Sequence, residues 1–283
     1  MGLRISKDIK LLIKHALKED IGRKDITTDF ILSKDKKIDA IIICKEKEAV
    51  LCGLDIAREV FKTLDKNIIF KTKLKDGDIL RKNKIVAYLK GKAKKILTAE
   101  RVALNFLGLL SGISTSTYRF IEKVRPYNVK IMDTRKTLPG LRELEKYAVK
   151  VGGGYNHRLR LDEMILIKDN HLKVKGGINN LVKDFKILRR KLSKGIKIEI
   201  EVKNIEEFKI AEKLNPDIIM LDNMDLASIK EVVKLNRKKI KLEVSGGVSL
   251  NNIRDIAKTG IDMISIGSLT DSVESIDFSL EVL

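Results

Sequence analysis

Between residues 133 and 171 the chain gathers polar side chains of types that do chemistry: DTRKTLPG, and then VGGGYNHRLRLDEMILIKDNH. Arg135, Lys136, His157, Arg158 and Lys168 would bring five cationic groups to one mouth, and such a cluster repels itself unless an anion occupies it. A substrate with several negative charges is implied. His157 and His171 are two of only 3 histidines, but their wide separation and the lack of a nearby cysteine make them a poor metal pair. Gly152–Gly154 permits unusual turn geometry without the GxGxxG spacing of a dinucleotide fingerprint. Further on, two acids, Glu201 and Asp222, end consecutive apolar runs, where carboxylates beside a phosphate pocket hold Mg²⁺ directly or through water. Ser245-Gly246-Gly247 and Gly267-Ser268 are small and expose backbone N–H groups, which suits a phosphate. The set offers one place for a carboxylate-rich molecule and one for a Mg²⁺-bound phosphorylated molecule. Phosphoryl, glycosyl and phosphoribosyl transfer all fit that description.

These residues need elements to hold them. Six short apolar runs, most of them β-branched, follow residue 125: Val129–Met132, Met164–Ile167, Ile198–Val202, Ile218–Leu221, Ile240–Val244 and Met263–Ile266. Helical patterns at Ile178–Leu192, Ile205–Leu214, Leu226–Leu235 and Leu250–Thr259 separate most of them, so repeated βα units and a parallel sheet are expected, closed into a barrel or doubly wound. Polar residues stand at or just after each run, and in a βα barrel all such ends open onto one face. Before residue 125 the pattern differs. A helix is expected over residues 3–18, short strands at Ala40–Cys44, Val50–Leu51, Ile68–Phe70, Ile79–Leu80 and Ile85–Leu89, and a helix at Asp55–Leu64. Leu97–Leu110 reads as a strong helix, with Thr98 as N-cap and Ser111-Gly112 as its stop.

Composition narrows the classes. The chain has 283 residues, 43% hydrophobic and 34% charged, enough for one large domain or two modest ones and unlike a disordered chain. No uninterrupted apolar run approaches a membrane span, and the start lacks a signal-peptide core, so a cytoplasmic protein is expected. Cys44 and Cys52 read as reduced core residues. The net charge of +19 invites nucleic acid as a partner. Yet the lysines are scattered through nearly every segment, and aromatics are only 5%, with no Trp to stack on bases. The arginines are less even: Arg101, Arg119, Arg125, Arg135, Arg142, Arg158 and Arg160 crowd one stretch, where a planar fork can grip carboxylate or phosphate.

TAERVALNFLGLLSGIST, DTRKTLPGLRELEKYAVKVGGGYNHRLRL, ILIKDNHL, IEIEV, IIMLDNM, LEVSGG and ISIGSLTDS follow, in order, motifs of the quinolinate phosphoribosyltransferases, and the chain resembles that family from EDIGRKDITT onward. The resemblance implies an α/β protein: an N-terminal α/β sandwich domain over residues 1–110, with 271–283 packing against it, and an incomplete six-stranded βα barrel over 111–270. It implies transfer from phosphoribosyl pyrophosphate to quinolinate with decarboxylation, giving nicotinate mononucleotide, CO₂ and pyrophosphate with Mg²⁺. Arg101, Arg135, His157, Arg158 and Lys168 would surround the quinolinate carboxylates, with Lys136 near the reacting centre. Glu201 and Asp222 would position Mg²⁺ and the ribose, and Ser245, Gly246, Gly247, Gly267 and Ser268 would meet phosphate. The resemblance also implies a homodimer in which Arg101 reaches the neighbouring subunit's site. No dedicated general base is assigned. One position departs from the family: Asp271 stands where a His is usual, and an acid facing the site would weaken phosphate affinity. The alternatives are the molybdenum-associated paralogue of the same fold, against which the Ile167–His171 run speaks, nicotinate phosphoribosyltransferase, which needs fewer cations, and a basic nucleic-acid-binding protein.

Overall fold

The computed structural model describes residues 2–193 and 195–283. They divide into two compact units. The first comprises residues up to Tyr118 together with Leu138–Gly153 and Ser272–Leu283; the second comprises Arg119–Thr137 and Gly154–Asp271.

In the first unit, β1 (Lys37–Cys44), β3 (Ile69–Lys71), β5 (Ile85–Lys92) and β12 (Phe278–Val282) form an antiparallel sheet in the order β12-β1-β5-β3. A second ladder pairs β2 (Glu48–Val50) with β4 (Ile79–Arg81). The helix Lys7–Ile21 starts where the Ser6 side chain accepts from Ile9 N at 3.2 Å, and it buries Ile9, Ile13 and Leu17, one residue per turn. The helix Leu54–Leu64 begins on Gly53, and the half-buried Asp76 carboxylate accepts from Gly53 N and Leu54 N and from the Tyr147 hydroxyl.

The expected stop at Ser111-Gly112 is not a stop. One helix runs from Ala93 to Val124, through the boundary placed at residue 110. Its small and polar residues are docking points instead. Ser111 Oγ accepts from Cys52 N at 3.0 Å, Thr115 Oγ1 accepts from Val50 N at 2.8 Å, and Ser114 Oγ donates to Val50 O at 2.7 Å. A methyl group on Gly112 would lie 2.2 Å from Glu274 O, so only glycine lets this backbone approach so closely. The helix holds an 18-residue window apolar enough to cross a membrane, but 67% of that window is buried inside the fold.

The second unit is the barrel. Its strands are β6 (Lys130–Met132), β7 (Ile165–Ile167), β8 (Ile198–Val202), β9 (Ile218–Asp222), β10 (Lys241–Ser245) and β11 (Met263–Ser265). They pair in parallel in the order β6-β11-β10-β9-β8-β7. That order is cyclic, with the last strand returning to the first, and it excludes the switch point of a doubly wound sheet. The β6–β7 seam stays open except that Tyr155 bridges to Met132, donating its N–H to Ile131 O at 2.8 Å and accepting from Asp133 N at 3.1 Å. The architecture is therefore α/β, with an incomplete six-stranded barrel in one unit and a separate antiparallel sheet in the other.

Gly112→Ala isolates the cost of the close approach. Alanine at this helix-interior position gains about 1 kcal/mol in propensity, whereas forcing Glu274 away costs more, so we expect a net loss of about 2 kcal/mol in chemical denaturation. Unchanged or increased stability would mean that the 273–276 segment is not packed on this helix.

Candidate active site

The register of the barrel decides which side chains share a level. Asp222 pairs with Ser245, and Ser245 with Ser265, so three polar residues stand side by side at the strand ends. One level below, Glu201, Met220 and Glu243 form a row across β8, β9 and β10. Side chains two apart on a strand share a face, so Glu199 points the same way as Glu201. A parallel strand covered on both faces offers an acid no water on its outer side, and these carboxyls turn inward.

Above this row opens a cavity of about 600 Å³. Of the expected site residues it is lined by Arg135, Lys136, His157, Arg158, Lys168, Asp222, Ser245, Gly246, Gly247, Gly267 and Ser268. Arg101 is not among its lining residues; it is exposed on the helix Ala93–Val124, in the first unit. His171 does not line it either: its Nδ1 accepts from Lys168 N at 2.9 Å and shapes the start of the helix Asp169–Lys175.

Each cation is fixed differently. Arg158 donates from Nη1 to Met164 O at 2.9 Å, and burial, with Arg135 close by, holds its guanidinium below the usual arginine range. Arg135 Nε is buried without a hydrogen-bond partner. Lys168 donates from Nζ to Glu201 Oε2 at 2.9 Å. Lys136 is exposed, and its carbonyl accepts from Thr270 Oγ1 at 2.6 Å.

Two of the expectations change. His157 is engaged at both ring nitrogens: Nδ1 accepts the backbone N–H of Arg158 at 2.8 Å, and Nε2 lies 3.0 Å from Glu199 Oε2. Glu201 does not line the cavity. Its side chain is only 5% exposed, one oxygen takes the Lys168 ammonium, and the other accepts from Asp169 N at 3.4 Å. The carboxylate expected beside a metal ion thus orients a lysine. Asp222 is the freer acid, lining the cavity with no side-chain hydrogen bond among the described residues.

The glycine loops have the geometry expected of a phosphate cradle. Gly246 and Gly247 adopt φ of +86° and +63°, and a side chain on Gly246 would strike the Asn223 amide at 2.2 Å. Gly267 leads into a helix of only four residues, Ser268–Asp271, so it offers backbone N–H groups more than a helix dipole. Asp271 does face the cavity, beside Gly267 and Lys136.

Residues 113–281 match the family model of the quinolinate phosphoribosyl transferase C-terminal domain, and residues 25–111 match that of its N-terminal domain. The chain belongs to the quinolinate phosphoribosyltransferase family. It is 40% identical over 274 residues to the probable nicotinate-nucleotide pyrophosphorylase (carboxylating) of Bacillus subtilis, covering 97% of this chain and 93% of the relative. It is 41% identical to the probable enzyme of the same name from Methanocaldococcus jannaschii, covering 98% of each. Among solved structures, the nicotinate-nucleotide pyrophosphorylase of Francisella tularensis superposes with a TM-score of 0.90 at 41% identity over all of both chains.

Sequence reasoning on this family member missed Glu199 and Glu243. Both are fully buried under the cavity, and Glu243 also lines it. Their signal was present, an acid inside each of two core strands, IEIEV and LEV. His157 Nε2 reaches Glu199 and lies 3.6 Å from Glu243 Oε1, while Ser265 Oγ shares a hydrogen bond with Glu243 Oε1. Glu199 Oε1 and Glu243 Oε2 have no partner. Burial pushes both carboxyls well above the ordinary carboxylate range, and for Glu243 the neighbouring Glu199 adds to it.

A folded-state carboxyl raised in this way holds its proton longer than in the unfolded chain, so its contribution is present in acid and is lost as pH rises above the usual carboxylate range. Glu199→Gln removes one such group. We expect its melting temperature, relative to the wild type, to increase progressively from about pH 5.5 to about pH 8.5; a pH-independent difference in calorimetry would contradict the buried pair.

Proposed function

We propose that the cavity binds quinolinate and phosphoribosyl pyrophosphate, joins the pyridine nitrogen to C1 of the ribose, and releases pyrophosphate and CO₂ to give nicotinate mononucleotide. The observation that carries this reading is the uncompensated Arg135–Arg158 pair: one guanidinium has a buried, partnerless Nε, and both face the same cavity. A buried donor without a partner costs about 1–3 kcal/mol, and a dicarboxylate supplies the missing acceptors.

The chain's residues then divide the work. Arg135, Arg158 and Lys168 receive the two ring carboxylates, and Glu201 aims the Lys168 ammonium. His157 fixes its ring between Arg158 N and Glu199. Gly246, Gly247, Gly267 and Ser268 present backbone N–H groups to phosphate, and Lys136 stands beside Gly267 to balance the leaving group. As pyrophosphate departs, positive charge develops on the ribose, and the cavity-lining carboxylate of Asp222 opposes it.

The donors fit Mg²⁺ through Asp222 and not through Glu201, because one hard, unbonded carboxylate plus phosphate oxygens is a usual Mg²⁺ set. When bound there, Mg²⁺ supplies charge neutralisation of the pyrophosphate. The free, buried Cys44 and Cys52 accord with a reducing, cytoplasmic setting. We further place Arg101 in the cavity of a second copy, in a homodimer.

Four measurements check this reading. Incubation with quinolinate, phosphoribosyl pyrophosphate and Mg²⁺ should yield nicotinate mononucleotide. Nicotinate, which lacks the second carboxylate, should be used about 10²-fold less well in kcat/KM; equal use would favour nicotinate phosphoribosyltransferase chemistry. Asp222→Asn should change the Mg²⁺ dependence and lower kcat, whereas Glu201→Gln should raise KM for quinolinate about tenfold or more and leave the Mg²⁺ dependence alone. The reverse pattern would return the metal to Glu201. Last, co-expressed Arg101→Ala and Lys136→Ala subunits should regain about a quarter of wild-type activity, because half the dimers are mixed and one of two sites in each is intact. Verified mixed dimers that stay inactive would place Arg101 elsewhere.

A further inference from the structure

The reaction proposed above leaves one atom unaccounted for. Loss of CO₂ from the ring leaves the C–C electron pair on the ring carbon next to the nitrogen, and that carbon must then gain a proton. None of the residues so far given roles at the cavity is assigned to that proton: guanidinium groups such as those of Arg135 and Arg158 release protons reluctantly, the Lys168 ammonium is engaged by Glu201, Lys136 stands with the phosphate loop beside Gly267, and His157 Nε2 is turned to Glu199.

We propose that Glu243 is the acid that delivers this proton, with Glu199 and Ser265 as its positioning residues. Glu243 lies in the cavity wall on the middle of β10, beneath the strand-end polar groups and beside Met220, whose thioether also lines the cavity. Its Oε1 is engaged by Ser265 Oγ, while Oε2 is buried and bonded to nothing. A buried carboxylate with an orphaned oxygen is costly; a carboxylic acid with a proton to give to a bound ligand is less so.

The groups facing this carboxyl keep the proton there. Glu199 on β8 is its like-charged neighbour, and a single His157 nitrogen, Nε2, lies 3.0 Å from Glu199 and 3.6 Å from Glu243. One proton cannot bridge two anions well, so the pair retains a second, as closely placed carboxyls do. Lys168 at the end of β7 and Arg158 in the loop before it act in the opposite sense on Glu199, and His157, the Ser265 hydroxyl and Lys168 do so on Glu243. Burial and the like charge prevail for Glu243, which is raised well above the ordinary carboxylate range.

The step balances. The bond from the ring carbon to the carboxylate carbon breaks and CO₂ leaves. The electron pair, stabilised by the adjacent quaternary nitrogen, takes the proton from the Glu243 O–H to form C–H, and the resulting carboxylate regains a proton from water when product departs. Without a prompt proton the ring carbon recaptures CO₂, and the dicarboxylated nucleotide persists.

This inference rests on the proposed reaction, and its test separates the two. Wild-type enzyme that forms no nicotinate mononucleotide would refute the reaction itself. With wild type active, Glu243→Gln is run in single turnover with phosphoribosyl pyrophosphate, Mg²⁺ and quinolinate labelled at the carboxyl next to nitrogen. We expect pyrophosphate release at close to the wild-type rate and CO₂ release slowed about 10²-fold, with the dicarboxylated nucleotide accumulating. Equal slowing of both products, or no slowing of CO₂, overturns the proposal. Glu199→Gln gives an independent readout should the first variant fail to fold. It keeps the acid but removes its charged neighbour, so CO₂ release should persist in acid while its alkaline fall-off moves down by about one pH unit. An unmoved fall-off overturns the proposal as well.

Discussion

Burial and the neighbouring Arg135 both disfavour the charge on Arg158, and the cavity is organised around that constraint. Neither arginine is neutralised by a salt bridge at the cavity wall. Two buried acids, Glu199 and Glu243, lie below, inside β8 and β10, where they temper the positive field without filling the hydrogen-bond sites a ligand needs. An apolar floor would leave the cations without compensation. The arrangement requires carboxyls in a dry interior, and it tolerates them because their protons can stay.

Lys168 shows the same division on one residue. Its ammonium is held by Glu201, its N–H by His171, and its neighbour Asp169 by Lys203, whose ammonium donates at 2.8 Å and draws the Asp169 carboxyl down to about 2. The motif Ile167–His171 therefore aims a single lysine through contacts made by three further residues. The surface pair is screened by solvent and adds little stability; its effect is on direction.

The barrel was legible because the βα alternation repeats and because each strand ends in polar residues; all six runs are strands, and the cavity collects nearly all of the residues named from those ends. What stayed hidden depended on packing between distant segments. Ser111-Gly112 carries the composition of a helix stop, and only the close approach of residues 273–276 explains why the helix continues. The contacts that hold the His157 ring stayed hidden because the Arg158 N–H on it is a matter of local backbone path, invisible in residue type. Glu201 looked like a metal ligand for being an acid at a strand end, and its pairing with Lys168 depends on register between β7 and β8. Glu199 and Glu243 were written in the strands themselves, but apolar runs draw attention away from the acids inside them.

The pairing of β12 with β1 has a bearing on how the chain is made. Cys44 meets Phe278 and Ala40 meets Val282, so the edge strand of the first sheet is encoded more than two hundred residues after the strand it completes. At 5–20 residues per second, a ribosome needs about 10–50 s to cover that interval. Throughout it β1 presents a bare backbone edge, of the kind that recruits strands from other chains. Cys44 and the residues beside it are buried once β12 arrives, and until then they are open to chaperones and to neighbouring nascent chains. The barrel's strands are all synthesised before that sheet can be finished, so the order in which the two units mature is set by translation as much as by their stabilities.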